Sequence, residues 1–126
     1  MIVVSLLQNL EEELENLLNN FKMIIYNVTC SVDKDILVDW LQWMKSEHIP
    51  ELMQCGCFVK VQINKVITQA DTNTTIAIAY YCNSMSDLHR YQVNFSIKFQ
   101  EKHRSKYGKH VESFRTILEE IDEFYI

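Results

Sequence analysis

From Ile24 to Val32 the chain alternates. Ile24, Tyr26, Val28, Cys30 and Val32 are mostly apolar, and Ile25, Asn27, Thr29 and Ser31 between them are mixed. A period of two is that of a strand with one buried face. The period then changes. Ile36, Leu37, Trp40, Leu41 and Met44 fall at helical spacing, behind Asp33 as a fair N-cap. Pro50 marks where that helix must break or restart, and Glu51-Leu52-Met53 predicts one more turn, closed by Gly56. A strand that feeds a helix in a chain of 126 residues leaves few arrangements open.

The same order recurs downstream. A second strand is expected from about Phe58 to Ile67, with Val59, Val61 and Ile63 on one face and Lys60, Gln62 and Asn64 on the other. Asp71-Thr72-Asn73 is a turn cluster, and the β-branched and aromatic run Thr74–Cys82 completes a hairpin. Ser84-Met85-Ser86-Asp87 resembles a capping box and predicts a long helix to about Tyr107. Its stripe is Leu88, Tyr91, Phe95 and Phe99, with His103 next in the series. Lys102, Arg104 and Lys106 crowd its last turns, and Gly108 suits a left-handed cap. A fourth strand is expected from about Val111 to Ile121, and Asp122–Ile126 forms a tail or an added edge strand. The order βαββαβ with right-handed crossovers predicts an α+β, ferredoxin-like fold: a four-stranded antiparallel sheet with both helices on one face.

That fold leaves one sheet face bare. The residues expected there are Ile25, Asn27, Thr29, Lys60, Gln62, Thr75, Ala77, Tyr81, Ser113, Arg115 and Ile117. The set is too apolar for water and too polar for a dry core. Two such sheets closed into a barrel would cover it around a partly polar cavity, so a homodimer, a dimeric α+β barrel, is expected.

Ahead of this unit, Leu7, Leu10, Leu14, Leu17 and Phe21 form an apolar helical stripe opposite Glu11, Glu12, Glu13 and Glu15. Residues 1–22 are therefore read as an N-terminal helical extension of a ferredoxin-like domain over 23–126. Met23, at the mouth of the first strand, is an alternative start. The formal charge of −5 argues against a nucleic-acid or anionic membrane surface. No apolar run approaches the roughly 18 residues that span a bilayer. The apolar start lacks a basic leader region, so a cytoplasmic location is expected. Cys30, Cys55, Cys57 and Cys82 are then thiols, and Cys55-Gly56-Cys57 lacks the spacing of a zinc or redox site, so neither a metal nor a cofactor is expected.

Three stretches resemble one uncharacterised bacterial family, seen mainly in the Bacteroidetes and classed as a domain of unknown function. They are Met23-Ile24-Ile25-Tyr26-Asn27-Val28-Thr29, the run Trp40-Leu41, Trp43-Met44-Lys45 and His48-Ile49-Pro50, and Phe114-Arg115-Thr116 with Leu118-Glu119. The resemblance covers Met23 to about Ile121. At a greater distance the pattern resembles the dimeric α+β barrel group, which includes cofactor-free monooxygenases and haem-degrading enzymes. The likeness implies a fold and a dimer, and fold does not transfer a reaction.

His48 is the leading candidate for chemistry, since an imidazole can donate, accept or shuttle a proton near neutral pH. Its ordinary role would be to cap helix carbonyls beside Pro50. Arg115 is a fixed cation for a carboxylate or enolate oxygen, or else half of an ion pair. Asn27 and Thr29 could orient a ligand carbonyl, and Trp43 and Tyr81 could wall a pocket; interface and core packing are the plainer readings. His89, His103 and His110 show no ligand spacing and are read as surface residues. No nucleophile–base set or phosphate loop is visible. The leading expectation is a small-molecule binding or structural module. The alternative is a cofactor-independent monooxygenase or isomerase-like enzyme with a pocket at the sheet face, using His48 as acid or base, Arg115 on an oxyanion and Asn27 to orient the substrate.

Overall fold

The computed structural model of the chain describes residues 2–20, 22–68 and 72–126. Phe21 of the N-terminal stripe and Asp71 of the turn cluster lie outside the described residues. The elements run α1 (Ile2–Asn20), β1 (Ile24–Asp33), a 3₁₀ turn (Lys34–Ile36), α2 (Leu37–Trp43), a π-helical turn (Met44–His48), α3 (Ile49–Met53), β2 (Lys60–Lys65), β3 (Asn73–Cys82), α4 (Met85–Asn94), α5 (Ser96–Tyr107) and β4 (Val111–Glu119). The sheet order is β2-β3-β1-β4, with every neighbouring pair antiparallel. This is the expected four-stranded ferredoxin-like sheet, with an additional N-terminal helix.

One side of the sheet carries the core. Ile24, Tyr26, Cys30 and Val32 of β1 and Ile76, Ile78, Tyr80 and Cys82 of β3 pack against Trp40, Met44 and Leu52 of the first helical run and Leu88, Tyr91, Phe99 and Tyr107 of the second. Trp40 and Leu88 are completely buried, and each such side chain contributes about 1.5–3 kcal/mol by leaving water. The hairpin β2–β3 forms as expected, though β2 is shorter than the alternation suggests.

Local chemistry sets the ends and breaks. The Ser84 hydroxyl accepts from the Asp87 N–H at 3.1 Å, so the expected cap is made. Asp33 makes no such bond. It ends β1, and its carboxylate meets His110 Nδ1 at 2.9 Å. The long second helix is broken at Phe95, where Asn94 Nδ2 donates to the Arg90 carbonyl and Ser96 Oγ to the Gln92 carbonyl. Such side chains compete with the helical ladder. Gly108 is right-handed (φ −56°), not left-handed; a Cβ there would lie 2.5 Å from the Arg104 carbonyl oxygen, so close approach is what the glycine provides. Gly56, at φ +74°, is the left-handed residue that closes α3.

Strand β4 faces the opposite way from expectation. Its register pairs Tyr26 with Ile117, Val28 with Arg115 and Cys30 with Ser113. Ser113, Arg115 and Ile117 therefore share the helix-covered side, and Phe114, Thr116 and Leu118 line up with Thr29, Asn27 and Ile25 on the bare side. The backbone bond from Asp33 N–H to the His110 carbonyl, 3.0 Å, anchors this register at its start. The bare face is more apolar as a result: Phe114 is 64% exposed and Leu118 45%. The apolar stripe of α1 is exposed as well, at Leu7, Leu10, Leu14 and Leu17. Asp122–Ile126 adopts no regular structure and adds no strand.

Candidate functional site

Pro50 has no N–H to give to the helical ladder. The chain does not stop there. Instead the ladder widens in the turn before it, and the Ile49 N–H reaches back to the Met44 carbonyl. Pro50 then sits in the first turn of α3, where a missing donor costs little. The wide turn buries both Met44 and His48. Inserted π turns of this kind recur at functional sites.

His48 is only 6% exposed and lines a cavity of about 250 Å³ between the sheet and the helices. Its ring stacks on Trp43 (centroids 4.7 Å apart, 26° between planes) and meets Phe99 edge-on at 5.8 Å. Its Nδ1 is buried with no hydrogen-bond partner among the described residues. A buried polar atom left unpaired costs about 1–3 kcal/mol. Burial pulls the His48 pKa down to about 4, helped by His103 and Lys102 and opposed by Glu51, so the ring is neutral at pH 7.

His103, from α5, lines the same cavity. The Trp40 indole N–H donates to its Nε2 at 2.9 Å. An indole nitrogen can only donate, so His103 Nε2 is the acceptor and its proton sits on Nδ1. Burial, with the Arg115 charge, lowers the pKa of His103 also.

Arg115 enters the cavity lining from β4, close to the Tyr26 phenol, and Ser113, Tyr80, Tyr91 and Phe99 line the same cavity. Among the described residues neither Arg115 nor Arg104, which also lines the cavity, has a carboxylate within ion-pair distance. No Asp or Glu is among the lining residues. Burial raises the Tyr26 phenol, and Arg115 beside it works the other way. Burial lifts Tyr80 well beyond the ordinary phenol range, and Tyr91 too. Cys30, its thiol raised by burial, accepts from Ser113 Oγ at 3.4 Å. The site is thus a half-enclosed aromatic cleft with two guanidiniums that lack a carboxylate and two neutral imidazoles.

Of the residues singled out in the sequence, His48 and Arg115 come together here, and Trp43 backs His48. Asn27, Thr29 and Tyr81 do not join them; they lie on the other face of the sheet. Asn27 Nδ2 donates to Thr29 Oγ1 at 3.2 Å, and Tyr81 takes Lys60 over its ring at 4.6 Å. His103, expected at the surface, is instead half-buried in the site. Its place four residues after Phe99 on the apolar stripe is the signal that points there. Arg104 gives none. No cluster of three or more His, Cys, Asp or Glu that could hold a metal occurs among the described residues. No helix among them is long and apolar enough to cross a membrane.

Residues 23–121 match the family model described as Domain of unknown function (DUF4286). The chain belongs to the DUF4286 family. No curated protein matches it in sequence. Solved structures share the fold of this DUF4286 domain at low identity. A dimeric ferredoxin-like protein from an uncultured marine organism is 12% identical, with a TM-score of 0.56 over 82% of this chain and 99% of its own. An ethyl tert-butyl ether D (EthD) family protein from Bacillus halodurans is 9% identical, with a TM-score of 0.60 over 78% and 99%. A variant of SnoaB, a cofactor-independent oxygenase from Streptomyces nogalater, is 12% identical, with a TM-score of 0.54 over 75% and 90%. At such identities the likeness is one of fold.

Proposed function

We propose that this DUF4286 domain is a homodimeric binding module whose ligand is a small organic molecule held between sheet and helices. The observation that carries the reading is the unpartnered, buried Nδ1 of His48 in a cleft of about 250 Å³. A folded chain tolerates such an atom where a ligand completes it. The volume is enough for one substituted ring, since a cavity of about 150 Å³ accepts benzene. The bare sheet face supports the second half of the reading. Phe114 and Leu118, with Ile25 beside Leu118, form an exposed apolar strip that a second copy would cover. One structural neighbour, the ferredoxin-like protein from a marine organism, is itself described as dimeric.

A second reading is a cofactor-independent enzyme with His48 as base and Arg115 stabilising an oxyanion. That both line one cavity supports it. A base whose pKa lies near 4 is poorly matched to proton abstraction at neutral pH, which favours binding over catalysis. Native mass spectrometry of protein purified from its own host tests both parts. The expected result is a two-subunit mass with a retained small molecule. Release of that molecule unchanged in composition after prolonged incubation in air favours the module; a converted product favours the enzyme. A single-subunit, ligand-free mass at micromolar dilution would overturn the proposal.

A further inference from the structure

The cleft has a polarity, and it narrows the ligand class. Charge comes first. Arg115 and Arg104 bring two cations to the lining, no lining residue is acidic, and among the described residues neither guanidinium has an ion-pair partner. Both guanidiniums are solvent-exposed, which leaves their donors open to an arriving anion, and the planar fork of Arg fits a carboxylate through two parallel hydrogen bonds. The second group is His103. With Nε2 occupied by Trp40, its remaining ring donor is Nδ1–H, a further hydrogen bond for an anionic oxygen near Arg115. The third is His48, buried, held between Trp43 and Phe99, with Nδ1 unmet. A hydroxyl both donates and accepts, so it satisfies Nδ1 whichever ring nitrogen carries the proton. The walls are aromatic and flat-sided, and the volume fits a single ring.

We propose that the ligand is a one-ring hydroxycarboxylic acid in its ionised form, its carboxylate on Arg115 and its hydroxyl on His48. The proposal rests on the reading of the cleft as a binding site and specifies what that site takes. It assigns discrimination against neutral molecules to Arg115, and discrimination among acids to His48.

The protein carries its own reporter. Its two tryptophans, Trp40 and Trp43, contact His103 and His48 respectively, so intrinsic fluorescence senses the cleft directly. The full chain is titrated at neutral pH with 2-, 3- and 4-hydroxybenzoate, benzoate, phenol and benzamide, alongside native mass spectrometry of host-purified protein. At least one hydroxybenzoate is expected to saturate and to bind about fivefold or more tighter than benzoate, the worth of one hydrogen bond. Phenol and benzamide are expected to bind at least about tenfold more weakly than that hydroxybenzoate. Arg115→Gln should remove the preference for acids. His48→Leu should bring hydroxybenzoate down to the affinity of benzoate while leaving benzoate itself unchanged. Neutral probes that bind as tightly as the acids, or a retained host ligand without a carboxylate, would overturn the proposal and leave the binding site standing. No saturation by any probe, together with a ligand-free native mass, would overturn the binding site itself. If no probe binds but the retained host ligand has the formula of a hydroxy acid, the proposal stands on that mass.

Discussion

The Trp40 indole and the His103 imidazole, 63 positions apart in the chain, are joined by a hydrogen bond of 2.9 Å that runs from Nε1–H to Nε2. The bond ties the first helical run to the second through a histidine that lines the cleft. Trp40→Phe removes it and shrinks a fully buried ring, so a loss of about 1–3 kcal/mol is expected in urea unfolding. The more telling measurement is the pair of ¹⁵N shifts of His103. In the native protein they should report a single Nδ1–H tautomer. In the variant they should move toward a mixture. Unchanged shifts would mean that something other than Trp40 fixes the ring.

His48 makes stability depend on pH. Its pKa is about 4 in the folded state against the ordinary 6.5, so between these values the unfolded chain binds the extra proton. Its contribution is complete above pH 6.5 and is lost as pH falls towards 4, where the loss levels off. At 1.36 kcal/mol per pH unit the total approaches about 3 kcal/mol. His103, also lowered, acts in the same direction. Urea midpoints measured from pH 7.5 to 4 should fall across this window, and His48→Leu should flatten the fall. An equal slope in the variant would refute the assignment to His48.

The same substitution separates a structural from a ligand-holding histidine. If Nδ1 serves only the fold, His48→Leu loses stability. If it waits for a ligand, replacing an unpaired buried polar atom with an apolar side chain leaves the free protein at least as stable while the retained molecule disappears. A thermal melt and a native mass spectrum of the variant decide between these outcomes.

Phe114 points away from the cleft, on the bare face of the sheet. Phe114→Glu places a charge in the band expected to be covered by a second copy, and like charges would then meet across a two-fold interface. Sedimentation at micromolar concentration should shift from dimer to monomer, with the far-ultraviolet circular dichroism unchanged. A native chain that already sediments as a monomer would remove the dimer.

Gly56 holds φ at +74°, and a Cβ added there would meet nothing within 4 Å, so backbone strain alone is at stake. Gly56→Ala should cost about 1–2 kcal/mol in a melt. Gly108→Ala should cost more than strain explains, because its Cβ meets the Arg104 backbone.

The sheet was legible because β1 and β3 bury one face, and a period of two then writes itself into residues such as Val28, Cys30, Ile76 and Ile78. The Ser84 cap was legible for a local reason, as one hydroxyl sits three residues before one N–H. The existence of strand β4 was legible, but the face each of its residues takes was not. Ser113, Arg115 and Ile117 and their alternates Phe114, Thr116 and Leu118 are both mixed sets, so hydrophobicity could not choose between them; pairing with β1 did. Arg115 also looks out of place toward a core, and it faces one only because a cleft opens there. That is the ordinary conflict between a functional position and the pattern around it. His103 was hidden by the same effect from the helix side. Its place four residues after Phe99 on the apolar stripe pointed inward, its residue type suggested solvent, and the Trp40 contact decides for the former.

The wide turn at Met44–His48 makes the cleft depend on how the backbone winds as well as on side-chain identity. Each residue of an ordinary helix advances roughly 100° about the axis. The widened turn takes up about one residue more than a regular turn, so the same residues wound as a regular helix would hold the imidazole a quarter-turn or so away from its present bearing relative to Trp40. A relative with every site residue present and the same spacing, but a regular helix here, would keep the sheet and lose the receptor.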